Sequence, residues 1–180
     1  IITMASEIKP TNKVIIFSAP SGSGKSTVVN HLLKKYPFLE FSISAKSRAP
    51  RGQEQNGKEN FFFSTEEFER LISEDAFIEY EEVYKGSYYG TLKSEIERIW
   101  AKGHTILFDI DVKGGVNIKR IFGDAALAVF VKAPSVEELR SRLVGRGTDT
   151  PEAIEKRVAK AEEELTYEKY FDVVLVNDDL

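Results

Sequence analysis

The stretch Ala19-Pro20-Ser21-Gly22-Ser23-Gly24-Lys25-Ser26-Thr27 follows an unbroken apolar run, Val14-Ile15-Ile16-Phe17, and opens a segment with Val28, Val29, Leu32, Leu33 and Tyr36 at helical spacing. A buried strand, a glycine-rich turn and an amphipathic helix in that order read as a phosphate-binding loop. Gly22 and Gly24 let the backbone turn back on itself, so that successive N–H groups and the helix N-terminus aim at one anionic centre. Ser21, Gly22, Ser23, Gly24, Lys25, Ser26 and Thr27 then form the phosphate cradle, with Lys25 reaching the outer phosphates and the Ser26 hydroxyl a Mg²⁺ ion. One position departs from the usual spacing, because Ala19 stands where the first glycine is expected. Pro37 stops the helix. His31, on its polar side, is read as a solvated residue without a role.

The bounds set by composition are those of an ordinary globular chain. With 180 residues, 42% of them apolar, it can bury a core of its own as one domain with sub-lobes. Its 25 basic and 29 acidic residues leave a net charge of −4, which argues against a general nucleic-acid or anionic-membrane binder. The absence of cysteine excludes disulfides, thiolate chemistry and Cys-ligated zinc, and no apolar run of 18 residues exists to span a membrane. A cytoplasmic location is expected. The opening Ile1-Ile2-Thr3-Met4-Ala5-Ser6 lacks the charged start of a signal peptide and is read as a loose terminus, with Met4 as the true start. Nothing in the sequence sets the oligomeric state.

Further buried-strand runs occur at Thr105-Ile106-Leu107-Phe108, Ala128-Val129-Phe130-Val131 and Val173-Val174-Leu175-Val176, separated by helical segments. That order implies an α/β fold, a parallel sheet with helices on its faces. Asp109 and Asp111 follow the second run, at the carboxyl end of a strand, where they can bind Mg²⁺ directly or through water, or orient a substrate. From 41 to 91 the texture changes to short strand-like runs with turns at Asn56-Gly57 and Lys85-Gly86, an inserted mixed α+β lobe. In it Ser64-Thr65-Glu66-Glu67 starts a short helix with Phe68, Leu71 and Ile72 inward. Lys46, Arg48 and Arg51 crowd a loop, either to capture phosphate oxygens in bidentate fashion or simply as a solvated charged loop. Strict alternation in Phe77-Ile78-Glu79-Tyr80 would put Phe77, Glu79 and Glu81 on one side and Ile78 and Tyr80 on the other. After a second Ser-x-x-Glu box at Ser135 come Arg140, Arg142, Arg146 and Arg157, with Gly145 and Gly147 around Arg146. This is either a mobile flap that closes over phosphates or a helix–helix turn with surface arginines.

Together, APSGSGKST, FSISAKSRAPRGQEQNGKE, FIEYEEV, YYGT, ILFDIDVKGG, RLVGRGTDTPEAIEKR and VVLVNDDL, in this order, resemble a guanylate kinase from about Lys13 to Leu180. The resemblance implies a P-loop kinase fold with a core nucleotide-binding domain (1–40, 92–134 and 170–180), a GMP-binding lobe (41–91) and a lid with its following helix (135–169). It implies Mg²⁺-dependent, reversible phosphoryl transfer from ATP to GMP in purine nucleotide metabolism. Ser44, Glu79, Thr91 and the neighbouring Gly90 would lie at the guanine with Asp109 close by, and Arg48, Arg51 and Tyr89 would hold the GMP phosphate. Lys25, Arg142, Arg146 and Arg157 would serve the transferring group, and Ser26, Asp109 and Asp111 the metal. ATP and GMP are then the partners, with no nucleic acid or membrane.

The chemistry of the residues agrees with that implication. Guanine offers N1–H and N2–H₂ donors side by side; a carboxylate such as Glu79 accepts both, whereas adenine presents an acceptor and a C–H there. A related module that keeps the fold as a protein-binding scaffold loses phosphate-loop and acceptor residues; Lys25, Ser26, Arg48, Arg51, Glu79, Asp109 and Arg146 are all present here. Three departures stand out against the family pattern: Lys46 for a threonine, Lys113 for a glutamine, and Asn60 for a tyrosine that touches the acceptor phosphate, a loss expected to weaken GMP binding. The chain also stops at Asp178-Asp179-Leu180, where similar enzymes continue into a C-terminal helix, so the sheet is expected to lack one cover.

Overall fold

A computed structural model describes residues 13–20 and 22–178. The opening Ile1–Ser6 and the cradle residue Ser21 lie outside the described residues. The chain divides into two units, one holding Glu40–Ile106 and the other Lys13–Leu39 together with Leu107 onward.

The larger unit is built on a five-stranded sheet in the order β2-β7-β1-β8-β9. Its strands are β1 (Val14–Ser18), β2 (Leu39–Phe41), β7 (Thr105–Asp109), β8 (Ala126–Lys132) and β9 (Val173–Val176). β1 pairs in parallel with β8, and β8 in parallel with β9. The four long apolar runs read from the sequence are four of these strands, and in three of them the side chains are core: Val14, Ile16, Ile106, Leu107, Phe130 and Val131 are all buried. The fourth, β9, lies at the sheet edge with Val173, Val174 and Val176 exposed, so the buried strand expected there is corrected. The edge strand β2 is only three residues long and carries no periodic signal.

Four helices complete this unit: α1 (Lys25–Lys35), α4 (Val112–Phe122), α5 (Val136–Gly145) and α6 (Pro151–Leu165). Each of the last three starts on a side-chain cap. Asp111 accepts from Gly114 N–H, Ser135 from Glu138 N–H, and Thr150 from Ala153 N–H with Pro151 in the first turn. α5 and α6 bury Leu139, Leu143, Ile154, Val158 and Ala161 against each other and Ala133. Among the described residues no helix is long and apolar enough to cross a membrane.

The smaller unit carries a four-stranded sheet in the order β4-β3-β6-β5. Its strands are β3 (Ser44–Lys46), β4 (Asn60–Phe62), β5 (Phe77–Tyr84) and β6 (Ser87–Leu92), with helices α2 (Thr65–Ser73) and α3 (Lys93–Ala101). Ser64 caps α2 by accepting from Glu67 N–H, and Phe68 stacks between Phe77 and Tyr88 at ring separations of 4.5 and 5.2 Å. This unit runs past the 41–91 expected. α3 belongs to it because the buried Glu95 carboxylate accepts the Ile43 N–H at 3.0 Å, tying the helix to the start of the lobe.

The alternation expected along β5 is corrected by the structure. A register shift between Phe77 and Glu79 sets two residues of β5 against one of β6, and Phe77 and Ile78 are both buried. Such a bulge turns consecutive side chains into the core before regular pairing resumes at Glu79. Gly90 fixes the spacing there, since a Cβ on it would meet Glu79 O at 2.7 Å and Tyr80 Cβ at 2.9 Å. No side chain fits between these strands.

Candidate active site

In the larger unit the phosphate loop takes the shape its sequence dictates. Gly22 and Gly24 lie in the left-handed region at φ 84° and 80°, and α1 begins at Lys25 directly after. Gly22 is needed twice over, because a Cβ there would also press on Leu139 and Leu143 of α5 at 3.2–3.3 Å. The first turn of α1 therefore opens onto a cleft of about 650 Å³ walled by Ala19, Pro20 and residues 22–27 on one side and by Arg142, Gly145 and Arg146 on the other. That volume suits a nucleotide-sized ligand.

Lys25 Nζ stands 2.6 Å from Asp109 Oδ1, so the carboxylate at the end of β7 holds the ammonium at the mouth of the loop. Arg142 is mostly buried. Its Nη2 donates to Asn177 O at 2.8 Å and its Nε to Glu138 at 3.3 Å, while Nη1 is buried without an acceptor among the described residues. Arg146 is exposed on the cleft wall. Arg157 is not part of that wall; it pairs with Asp149 at 3.3 Å, across the turn between α5 and α6.

Asn177 went unnoticed in the sequence. Its side-chain amide donates to Ser23 O and Gly24 O at 3.2 and 3.5 Å, its carbonyl accepts from Arg142, and its N–H donates to Lys132 O. One residue thus ties the phosphate loop, the cleft arginine and the end of β8 together. Nothing in the sequence signals a role carried largely by main-chain groups.

Glu164 of α6 is another buried charge beside the loop, 8% exposed. Burial pushes its carboxyl above the usual range; Asp111 adds to the rise, and Lys160 and Lys25 oppose it. A carboxyl raised in the folded state favours the neutral form, so its stabilising contribution is present below the unfolded value and is lost as pH rises through the folded one. Glu164→Gln should therefore raise the melting temperature by a few degrees at pH 8, where about 1 kcal/mol moves Tm by roughly 2–4 °C at this size. The gain should vanish near pH 4, as thermal denaturation across that range will read out. A gain independent of pH would point to packing.

The acceptor candidates lie together in the smaller unit. β5 and β6 pair Glu79 with Thr91 and Glu81 with Tyr89, and β3 pairs Lys46 with Tyr89. Continuing that register sets Ser44 opposite Thr91, so Ser44, Thr91 and Glu79 form one row across three strands and Lys46, Tyr89 and Glu81 the next, all on one face. Thr91 Oγ1 donates to Glu79 Oε1 at 3.0 Å, and Tyr89 Oη to Glu81 Oε2 at 2.6 Å. The opposite face is the apolar core around Ala45 and Phe68. Arg48 and Arg51 sit in the loop between β3 and β4, where Arg48 is in a two-pronged ion pair with Glu54 that the sequence gave no reason to expect. Asn60 is buried in β4, paired with Ser44.

The donor set fits a nucleotide-borne Mg²⁺. Among the described residues no cluster of three or more acidic or histidine side chains is placed to hold a metal by itself. Mg²⁺ asks for less than that, since it is held through one or two carboxylates plus substrate phosphates. Ser26 is exposed in the first turn of α1. Asp109 and Asp111 are exposed too, with Oδ1 of each engaged by Lys25 and by Gly114 N–H.

The guanylate kinase family model matches residues 11–180. This chain belongs to the guanylate kinase family. The family's reaction is phosphoryl transfer from ATP to GMP, and the enzyme is a nucleoside monophosphate kinase. The guanylate kinase of Bacteroides thetaiotaomicron is 59% identical over 170 residues, covering 94% of this chain and 83% of that protein. That of Porphyromonas gingivalis is 59% identical over 169 residues, covering 93% and 90%. The crystal structure of guanylate kinase from Anaplasma phagocytophilum matches with a TM-score of 0.67 at 31% identity, over 96% of this chain and 80% of that one. The loop cleft lies in one unit and the Ser44–Thr91–Glu79 row in the other.

Proposed function

We propose that the chain phosphorylates GMP with ATP and Mg²⁺ in the cytoplasm, using the phosphate loop as donor site and the β3–β6–β5 face as acceptor site. The observation that supports this reading best is the Glu79–Thr91 pair. Thr91 Oγ1 donates to Glu79 Oε1 and orients the carboxylate, a group that accepts through both oxygens and so suits two adjacent donors such as N1–H and N2–H₂ of guanine. Ser44, one strand away in the same row, adds a hydroxyl for the remaining base edge. Arg48, Arg51 and Tyr89 take the acceptor phosphate, and Gly90 keeps β5 and β6 close enough for Glu79 and Thr91 to meet.

Phosphoryl transfer needs little covalent chemistry from protein; it needs positioning and charge. The loop N–H groups of residues 22–27 and Lys25 cradle the ATP phosphates. Asp109 holds the Lys25 ammonium at the cleft mouth until the phosphates compete for it. Arg142 and Arg146, on the opposite wall, stabilise charge on the moving group, and Arg157 steadies the turn carrying them by its pair with Asp149. Ser26, Asp109 and Asp111 would hold Mg²⁺, which when bound neutralises phosphate charge. No side chain forms a covalent intermediate.

Nucleoside monophosphates offered one at a time with ATP-Mg²⁺, following ADP release, test the reading. GMP should be turned over far faster than AMP, CMP or UMP. Comparable use of another base, or no turnover of GMP, would overturn it.

A further inference from the structure

The loop that carries the two acceptor arginines is knitted by one carboxylate to which the known reaction assigns no part. Glu54 Oε1 accepts from Arg48 Nη1 at 2.8 Å and from the Arg51 N–H at 2.8 Å, and its Oε2 accepts from Arg48 Nη2 at 3.0 Å. Its own N–H donates to Arg51 O at 3.0 Å, closing the turn Arg51-Gly52-Gln53-Glu54. The Arg48 guanidinium also lies over the Phe62 ring, 5.2 Å from its centre, and Nη1 reaches Ala49 O at 3.0 Å.

Counting donors shows what this leaves. A guanidinium has five N–H bonds. The two on Nη1 go to Glu54 and Ala49 O, and one on Nη2 goes to Glu54. The two left over, Nε–H and the second Nη2–H, are neighbours on one edge and form an intact fork of the kind that grips a carboxylate or phosphate. A carboxylate competing for the phosphate site would fill that edge; this one leaves it unused.

We propose that Glu54 is a positioning residue for the acceptor phosphate: it clamps the end of the Arg48 guanidinium and the Arg51 backbone so that the side fork of Arg48 is presented ready-made to a phosphate oxyanion. This rests on the guanylate kinase reading of the site. The pair is part-exposed, at 27% and 25%, so its worth lies in geometry more than in stability. Arg48, followed by the Arg51 N–H, holds the Glu54 carboxyl down to about 2, and the clamp stays charged at working pH.

The test begins with the unaltered enzyme turning over GMP, since failure there sinks the underlying reading before Glu54 is touched. Glu54→Gln sets amide donors against guanidinium donors and should raise KM for GMP about tenfold or more, the scale of a charge-assisted contact, with kcat and KM for ATP little changed. Affinity for guanosine, which lacks the phosphate, should not move. A double-mutant cycle with Arg48→Ala should show most of the Glu54 effect gone once Arg48 is absent. An unchanged or lowered KM, an equal loss for guanosine, or additive effects in the cycle would each overturn the proposal. If Glu54→Gln does not fold, Glu54→Asp, which keeps the charge but cannot span both partners, takes the same measurements with the same outcomes.

Discussion

Lys25→Ala should lower kcat by about 10²–10³-fold, the loss seen when one charge-stabilising donor is removed from a transition state. The ammonium emerges from the first residue of α1, next to the left-handed Gly24, and is held 2.6 Å from Asp109. Its charge is therefore kept at the mouth of the loop before the nucleotide arrives, ready to pass to the phosphates that compete for it. GMP binding should survive, because the row of Ser44, Thr91 and Glu79 and the Arg48–Glu54 loop belong to the other unit. ADP release measures the first quantity and calorimetry with GMP the second. Equal loss of GMP affinity would contradict the assignment of Lys25 to the donor phosphates.

Glu79→Gln should weaken GMP by about 10²-fold, since a charged hydrogen bond contributes roughly 1.5–3 kcal/mol and the amide that replaces one oxygen is a donor facing donors. Thr91 is buried and its hydroxyl already donates to Glu79 Oε1, so the carboxylate cannot easily turn away from the base. Glutamine there can keep Thr91 or part of guanine, but not all three donors. Discrimination should change with affinity. IMP, which lacks the exocyclic amine, should bind the original enzyme more weakly than GMP, and the gap should shrink in the variant. GMP bound as before by Glu79→Gln would mean that guanine is read elsewhere.

The sequence carried β1, β7, β8 and β9 well because they are apolar runs that need no partner to be recognised. It carried β2, β3 and β4 poorly, because three residues cannot display a period. The alternation of β5 failed at its start for a related reason: a bulge opposite Leu92–Thr91 inserts one residue, and only the sheet register reveals it. Site residues divide the same way. Lys25 and Asp109 announce themselves by chemistry at the end of a loop or strand, and Glu79 as a carboxylate within a strand-like run. Glu54 and Asn177 act through contacts inside an irregular loop and through main-chain carbonyls, which leave no periodic mark. Arg157 is grouped with Arg142 and Arg146 by the family resemblance, and in the fold it pairs with Asp149.

The knot at Asn177 bears on how the donor side comes apart as well as how it is built. β9 is an edge strand of four residues with Val173, Val174 and Val176 partly open to water, the kind of element that frays at the lowest free energy in a domain. Because the residue after it holds Ser23 O, Gly24 O and Arg142 at once, fraying would loosen the phosphate loop and the opposite cleft wall in the same event. The cradle and its arginine then behave as one cooperative opening unit. A nucleotide bound across them would draw its ordering energy partly from a strand it never touches.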